Sequence, residues 1–161
     1  MAHPGNWHWR TGPVDPGPAV VFDVDGVISD ASDRQHHLAG PTRRWEDFFA
    51  ACGADAPIRE AFALAEVLRD VFRIVSLTAR PIAVQSITRE WLDRHGFPYD
   101  LLIMREHHDH WSSTRFKAAT VETLVAHGFD IRLVLDDDPR NIEMFRSLDL
   151  PTLYVHSGYY E

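Results

Sequence analysis

Two acidic clusters and one lysine carry the residue types that could do chemistry in this chain. Asp23 and Asp25 flank Val24 directly after the apolar run Ala19-Val20-Val21-Phe22, and Asp136-Asp137-Asp138 follow the apolar run at 131–135. Carboxylates from two such places would repel one another if they converged on one point. A hard divalent cation removes that repulsion, and Mg²⁺ favours a few carboxylates together with waters and phosphate oxygens. Asp138 has a second use, because Asp before Pro139 makes a good helix N-cap with proline in the first turn. Asp136 and Asp137 then remain as metal candidates. A lone Asp-x-Asp is also what a polar strand exit looks like; the second acidic strand end is what favours a metal site.

The same acids suit phosphorus chemistry. A carboxylate can attack phosphorus and form an aspartyl-phosphate, splitting one hard displacement into two easier ones. A carboxyl two residues on can protonate the leaving alcohol and then take a proton from water. Such a transfer also needs positive charge on the non-bridging oxygens. The 16 basic residues are fifteen arginines and a single lysine, Lys117, whose compact ammonium fits that task. A solvated lysine at a helix start is the plainer alternative. Thr78 offers a hydroxyl to a phosphate, or is a threonine that merely ends a strand.

Positioning these residues requires a sheet. The run at 19–22 predicts a parallel strand buried on both faces, with further strands over 72–77, 101–104, 131–135 and, more weakly, 151–155. Helices are predicted over 58–70, 81–95, 114–127 and 139–148, with Pro81 in a first turn and Gly96 and Gly128 as stops. Lys117 falls three residues into the third of these helices. Strands alternating with helices predict an α/β fold, a doubly wound and mainly parallel five-stranded Rossmann-like sheet with right-handed crossovers. Ligands of such sheets bind beyond the carboxyl ends of the strands, where Asp23, Thr78 and Asp136 all lie. Residues 1–18 read as an irregular arm whose Trp7 and Trp9 pack on one domain at 19–161. The connection at 27–57 is the one oversized loop, of the kind that serves as a lid or flap.

Composition narrows the classes further. The 161 residues, 45% hydrophobic and 25% charged, suit one domain with a real core and argue against disorder. No apolar run approaches the roughly 20 residues that span a bilayer. The first eighteen residues lack a signal peptide's basic start and apolar middle. Cys52 alone can form neither an internal disulfide nor a Cys-rich zinc site, so a reducing, cytoplasmic setting is expected. A net charge of −8 argues against broad, charge-driven binding to nucleic acid, though not against one local site.

Together these residues resemble the haloacid dehalogenase (HAD) superfamily. Its motifs appear in order as Val20-Val21-Phe22-Asp23-Val24-Asp25-Gly26-Val27, the Thr78 strand end, Lys117 and Asp136-Asp137, over about residues 19 to 157. The resemblance implies Asp23 as nucleophile and Asp25 as general acid/base. It implies Mg²⁺ held by Asp23, the main-chain carbonyl of Asp25 and an acid of the Asp136-Asp137 pair. An Asp at position 25 implies phosphoester chemistry. Val27 stands where many members have Thr.

A narrower resemblance is to the 3′-phosphatase domain of polynucleotide kinase/phosphatases. It rests on Thr78-Ala79-Arg80, on the stretch from Tyr99 to Glu106, on Leu135-Asp136-Asp137 and on the close from Ile142 through Gly158. It implies that Arg80, and Arg34 in the long connection, help bind the substrate phosphate, with Arg105 and Asp109 further candidates near substrate. Ser113 departs from the pattern, because those domains carry an acid four residues before the motif-three lysine. No GxxxxGK[ST] phosphate loop occurs, so a phosphatase without kinase is expected. The insertions at 27–57 and 81–110 leave room for only a minimal cap, hence an open site.

The resulting expectation is a Mg²⁺-dependent phosphomonoesterase acting on the 3′-phosphate of a polynucleotide end, in a repair setting. A phosphatase of free nucleotides is the alternative, and a degenerate binding module a third. Whether a separate kinase or ligase acts beside it stays open. His107, His108 and His110 fit no zinc spacing and read as a solvated loop. Trp45, Phe48 and Phe49 share a helical face and read as packing, with a stacking platform for a nucleobase as the sharper alternative.

Overall fold

In the computed structural model, which describes residues 1–160, the chain opens with strand β1 (Trp7–Trp9), β2 (Pro18–Phe22) and β3 (Ser29–Asp30). A 3₁₀ helix at Ser32–Leu38, helix α1 (Trp45–Ala50), a 3₁₀ turn at Cys52–Ala54 and β4 (Ala56–Pro57) follow. Then come α2 (Arg59–Leu68), β5 (Arg73–Pro81), α3 (Gln85–His95) and β6 (Leu101–Arg105). The chain ends with α4 (Ser113–Ala126), β7 (Asp130–Asp136), α5 (Pro139–Ser147) and β8 (Thr152–Tyr154).

The α/β, mainly parallel architecture expected from the alternation is present, with six strands rather than five, in the order β1-β6-β5-β2-β7-β8. All neighbours pair in parallel except β1, which runs antiparallel to β6 with Trp7 opposite Ile103. The extra strand corrects the irregular reading of the arm. Three residues between proline- and glycine-rich stretches give no usable period; the exposed edge of β6 supplies the pairing. Trp7 then packs against Phe129 and the β1 strand covers that edge, a common protection of sheet edges.

The central run is apolar throughout because both its faces are covered. Val20 and Phe22 join a core with α2 and α3 residues such as Ala65 and Trp91. Ala19 and Val21 join a second core with Phe116 and Leu124 of α4 and Phe145 of α5. Side chains alternate across a strand, so one strand feeds both layers.

Pro81 corrects a boundary. It ends β5 opposite Arg105 rather than starting a helix, and a 3₁₀ turn at Ile82–Val84 precedes α3. This longer β5 keeps Thr78-Ala79-Arg80 in extended backbone beyond the sheet's register. Gly96 and Gly128 stop their helices with φ of 75° and 92°, as predicted. The long connection is a folded flap whose two ends meet as an antiparallel pair, Ser29 opposite Pro57. α3 pins it: buried Trp91 donates from Nε1 to the Asp55 carbonyl at 2.8 Å, and Arg94 donates to the Gly53 carbonyl at 2.7 Å. Among the described residues no helix is long and apolar enough to cross a membrane.

Candidate active site

The carboxyl ends of β2, β5 and β7 open into a cleft of about 1030 Å³. Asp23 leaves β2 with its N–H donating to the Leu135 carbonyl at 2.9 Å, which places it beside the end of β7. There Asp23, Asp136 and Asp137 each offer an oxygen, all within 4.8 Å of one another. Gly26 allows this approach: it has φ +82°, and a Cβ there would overlap the Asp137 carboxylate.

Lys117 completes the cluster from the first turns of α4. Its Nζ lies 3.0 Å from Asp23 Oδ1 and 2.6 Å from Asp136 Oδ2, and the side chain is buried. Burial alone would lower its pKa, but the charges of Asp136 and Asp23 outweigh that and raise it, so the ammonium stays protonated. α4 is set by Ser112, whose side chain accepts from the Arg115 N–H at 3.2 Å, so the helix begins one residue before the predicted start. Asp136 also accepts from the Asp138 N–H at 2.9 Å and from Asn141. Asp138 caps α5 as its Asp-Pro sequence predicts, accepting from the Arg140 N–H at 2.9 Å.

Three carboxylates facing one ammonium leave two negative charges uncompensated. Burial pushes Asp137 up to about 6, with the Asp136 charge adding to it. Burial also raises Asp23 well above the usual carboxylate range, Lys117 opposing and the neighbouring acids reinforcing. Asp137 Oδ2 is buried with no hydrogen-bond partner among the described residues. An all-oxygen donor set carrying two surplus charges and an orphaned oxygen fits a hard divalent cation such as Mg²⁺.

Asp25 is turned away from that cluster. Its Oδ1 lies 2.6 Å from Arg80 Nη2 and 2.6 Å from Arg34 Nη2. Burial would lift its pKa, but the two guanidinium charges outweigh burial and hold it below the usual range. Arg80 is fully buried, lines the cleft and also donates to Thr88 at 3.1 Å. Arg34 is buried behind Asp25 and does not line the cleft, where the resemblance implied contact with substrate phosphate. Its donors go to Asp55, Asp25 and the Phe48 carbonyl, and its guanidinium stacks 4.3 Å from the Phe48 ring centroid.

Thr78 is buried, lines the cleft and accepts from the Arg80 N–H at 3.1 Å, which leaves its hydroxyl hydrogen to donate. Arg105 also lines the cleft, packed 5.6 Å from the Phe116 ring, with its buried Nε unpartnered among the described residues. Asp109 instead shapes the following turn, accepting from the Trp111 N–H at 2.8 Å, and does not line the cleft. His107, His108 and His110 are exposed and belong to no ligand cluster among the described residues.

Asp55 was not singled out in the sequence. It is buried, receives Arg34 Nε at 2.8 Å and Nη2 at 2.6 Å, and bonds the Ser29 hydroxyl. One signal could have found it: between Phe48 and Ile58 it is the only charged residue. Removing its charge leaves Arg34 buried and half paired, and breaking a buried ion pair costs about 3 kcal/mol. Asp55→Asn should therefore lower Tm by roughly 6–12 °C in thermal unfolding, with kcat falling more than KM rises. An unchanged Tm would remove Asp55 as the anchor of Arg34.

The family model described as the polynucleotide kinase PNKP phosphatase domain (HAD_PNKP) matches residues 17–160. No curated protein sequence matches the chain. Among solved structures, a chain of the Pnkp1/Rnl/Hen1 RNA repair complex superposes with TM-score 0.74 at 22% identity, covering 86% of this chain and 42% of its own. A class C acid phosphatase from Bacillus anthracis with tungstate bound gives TM-score 0.68 at 15% identity, covering 93% and 70%. A haloacid dehalogenase-like hydrolase from Streptococcus pneumoniae gives 0.63 at 13%, covering 84% and 83%. At these identities the structural likeness speaks for the fold, and the chain spans under half the length of the repair-complex chain it matches.

Proposed function

Because the chain belongs to the family of polynucleotide kinase PNKP phosphatase domains and is a HAD-type phosphatase, we propose that it removes the 3′-phosphate from polynucleotide ends with Mg²⁺ and an aspartyl-phosphate. The observation that carries the chemistry is Asp23 at the floor of an open cleft, 3.0 Å from Lys117, with arginine-held Asp25 in the same cleft.

In this reading Asp23 attacks phosphorus; its Oδ–P bond forms as the bond to the leaving 3′-oxygen breaks. Asp25 gives that oxygen a proton. The ionised Asp25 of the ligand-free site becomes an acid once a phosphate dianion adds negative charge beside it and competes for the Arg80 guanidinium. Water then attacks the aspartyl-phosphate, Asp25 takes its proton, and inorganic phosphate leaves with Asp23 restored. Lys117 and Thr78 bind non-bridging oxygens, and Arg105 is placed to meet the entering phosphate. Arg34 acts through Asp25, holding its orientation. Asp23, Asp136 and Asp137 are the side chains that would hold Mg²⁺, with the Asp25 carbonyl the main-chain candidate. When bound, Mg²⁺ neutralises charge on the phosphoryl oxygens. Thorough chelation should bring turnover to background and millimolar Mg²⁺ should restore it; turnover that survives chelation removes the metal from the reading.

The polynucleotide assignment rests on the family and on the small flap, which leaves the cleft open to a strand end. Free 3′- and 5′-mononucleotides are the competing substrates. A 3′-phosphorylated oligonucleotide should exceed both in kcat/KM by at least about tenfold, since contacts remote from the phosphate add transition-state binding. Mononucleotides turning over faster would overturn this choice. The first eighteen residues serve as an edge-strand arm on a phosphatase domain at 19–161. Repair is the matching role, with a separate kinase or ligase as the partner class, in the cytoplasm.

A further inference from the structure

The chain holds five tryptophans, and they divide by environment. Trp7 and Trp91 are buried and Trp9 packs partly on the core. Trp45 and Trp111 stay 46% and 44% exposed, and both line the cleft that contains Asp23. They come from separate segments: Trp45 opens α1 in the flap, whereas Trp111 lies in the connection between β6 and α4, six residues before Lys117.

Each of these indoles is held as a platform. Phe49 stacks on Trp45 with centroids 5.8 Å apart and an interplanar angle of 23°. Arg43 lies 6.0 Å from the Trp45 centroid, and Arg115 lies 4.0 Å from that of Trp111. The helical neighbour Phe48 has the packing role expected of the whole face, being buried against Arg34. Trp45 meets Phe48 edge to face with centroids 5.8 Å apart but, unlike Phe48, keeps part of its indole exposed at the cleft. The indole surface left open at this one cleft is flat and apolar, the kind of surface on which a planar base stacks. A guanidinium beside each ring adds a cation within reach of a backbone phosphate.

We infer that Trp45 and Trp111 are stacking platforms for nucleobases next to the phosphorylated end. The inference rests on the polynucleotide reading above and deepens it. The pairing of aromatic face with arginine is what a single strand requires: bases stack, and the backbone between them is neutralised. It is also compatible with the −8 charge of the whole chain, because it needs only one cation beside each platform, Arg43 and Arg115, and no broad basic surface.

The test compares two substrates on the full chain: a 3′-phosphorylated tetranucleotide, and the same oligomer with its two 3′-terminal nucleotides abasic. The wild-type protein should show a KM about 10- to 100-fold higher for the abasic oligomer. In the double variant Trp45→Ala/Trp111→Ala that ratio should fall to within about twofold, and Trp45→Phe/Trp111→Phe should restore most of it. Equal KM values in the wild-type protein, which needs no variant to fold, would overturn the platforms while leaving the phosphatase reading intact. An abasic penalty that persists in the double alanine variant would do the same. A wild-type protein that turns over mononucleotides and neither oligomer would overturn the polynucleotide reading, and the platforms with it.

Discussion

Asp23→Asn should lower kcat by at least about 10⁴-fold while leaving the fold as stable as before or more so. The amide matches the carboxylate in shape but is no nucleophile, so no phosphoryl-enzyme can form. Stability moves the other way because of what surrounds the group. Burial and the charges of Asp136 and Asp137 raise the Asp23 pKa well above its usual range, so its ionised form opposes folding. Removing that charge relieves the crowding, and Lys117 keeps its 2.6 Å contact with Asp136. A Tm in metal-free buffer at or above that of the wild-type protein, measured beside the lost turnover, would separate loss of the nucleophile from misfolding. Hydrolysis at the wild-type rate would dismiss Asp23 from the mechanism. A trapped phosphoryl group should appear in the wild-type protein after acid quench and be missing from the variant.

Lys117→Met is the second large effect, and here both activity and stability should fall. The side chain is fully buried between two carboxylates, and removing one partner of a buried pair costs about 3–5 kcal/mol. Loss of a preorganised cation on the transferring phosphoryl group should lower kcat by about 10²- to 10³-fold. In the variant, Asp23, Asp136 and Asp137 face no cation at contact distance among the described residues. Added Mg²⁺ should therefore raise the Tm of the variant more than that of the wild-type protein. A variant as stable as wild type without metal would mean that the ammonium is not what holds the acids together. An equal Mg²⁺ shift in the two proteins would mean that the ion does not share their charge.

Most of the residues that line the cleft at the strand ends were legible because they sit on local signals. A short apolar run such as Ala19-Val20-Val21-Phe22 suits a strand covered on both sides, and acids directly after two such strands emerge at the sheet's carboxyl edge. Asp138-Pro139 and the glycines at 96 and 128 mark helix ends by conformational preferences that hold wherever they occur. The flap was recognisable by its length. Its internal order was not, because β3 and β4 are two-residue strands that exist only in pairing with each other.

The sequence by itself indicated the α/β, mainly parallel sheet and the strand ends that carry Asp23 and Asp136, and it named Asp23, Asp25 and Lys117 as candidates. The elements follow from hydrophobic periodicity, and the candidates from residue chemistry together with the family resemblance. Only the tertiary structure decided which charges pair. It turned Asp25 onto Arg80 and Arg34 and placed Asp55, some 30 residues from the first motif, behind them. It left Asp109 out of the cleft lining and brought Trp45 and Trp111, from segments far apart in sequence, to the same cleft. The physical reason is one of range. Backbone propensity and hydrophobic period act over a few neighbouring residues, whereas ion pairing in a buried site depends on side chains that meet only after the sheet and flap have closed.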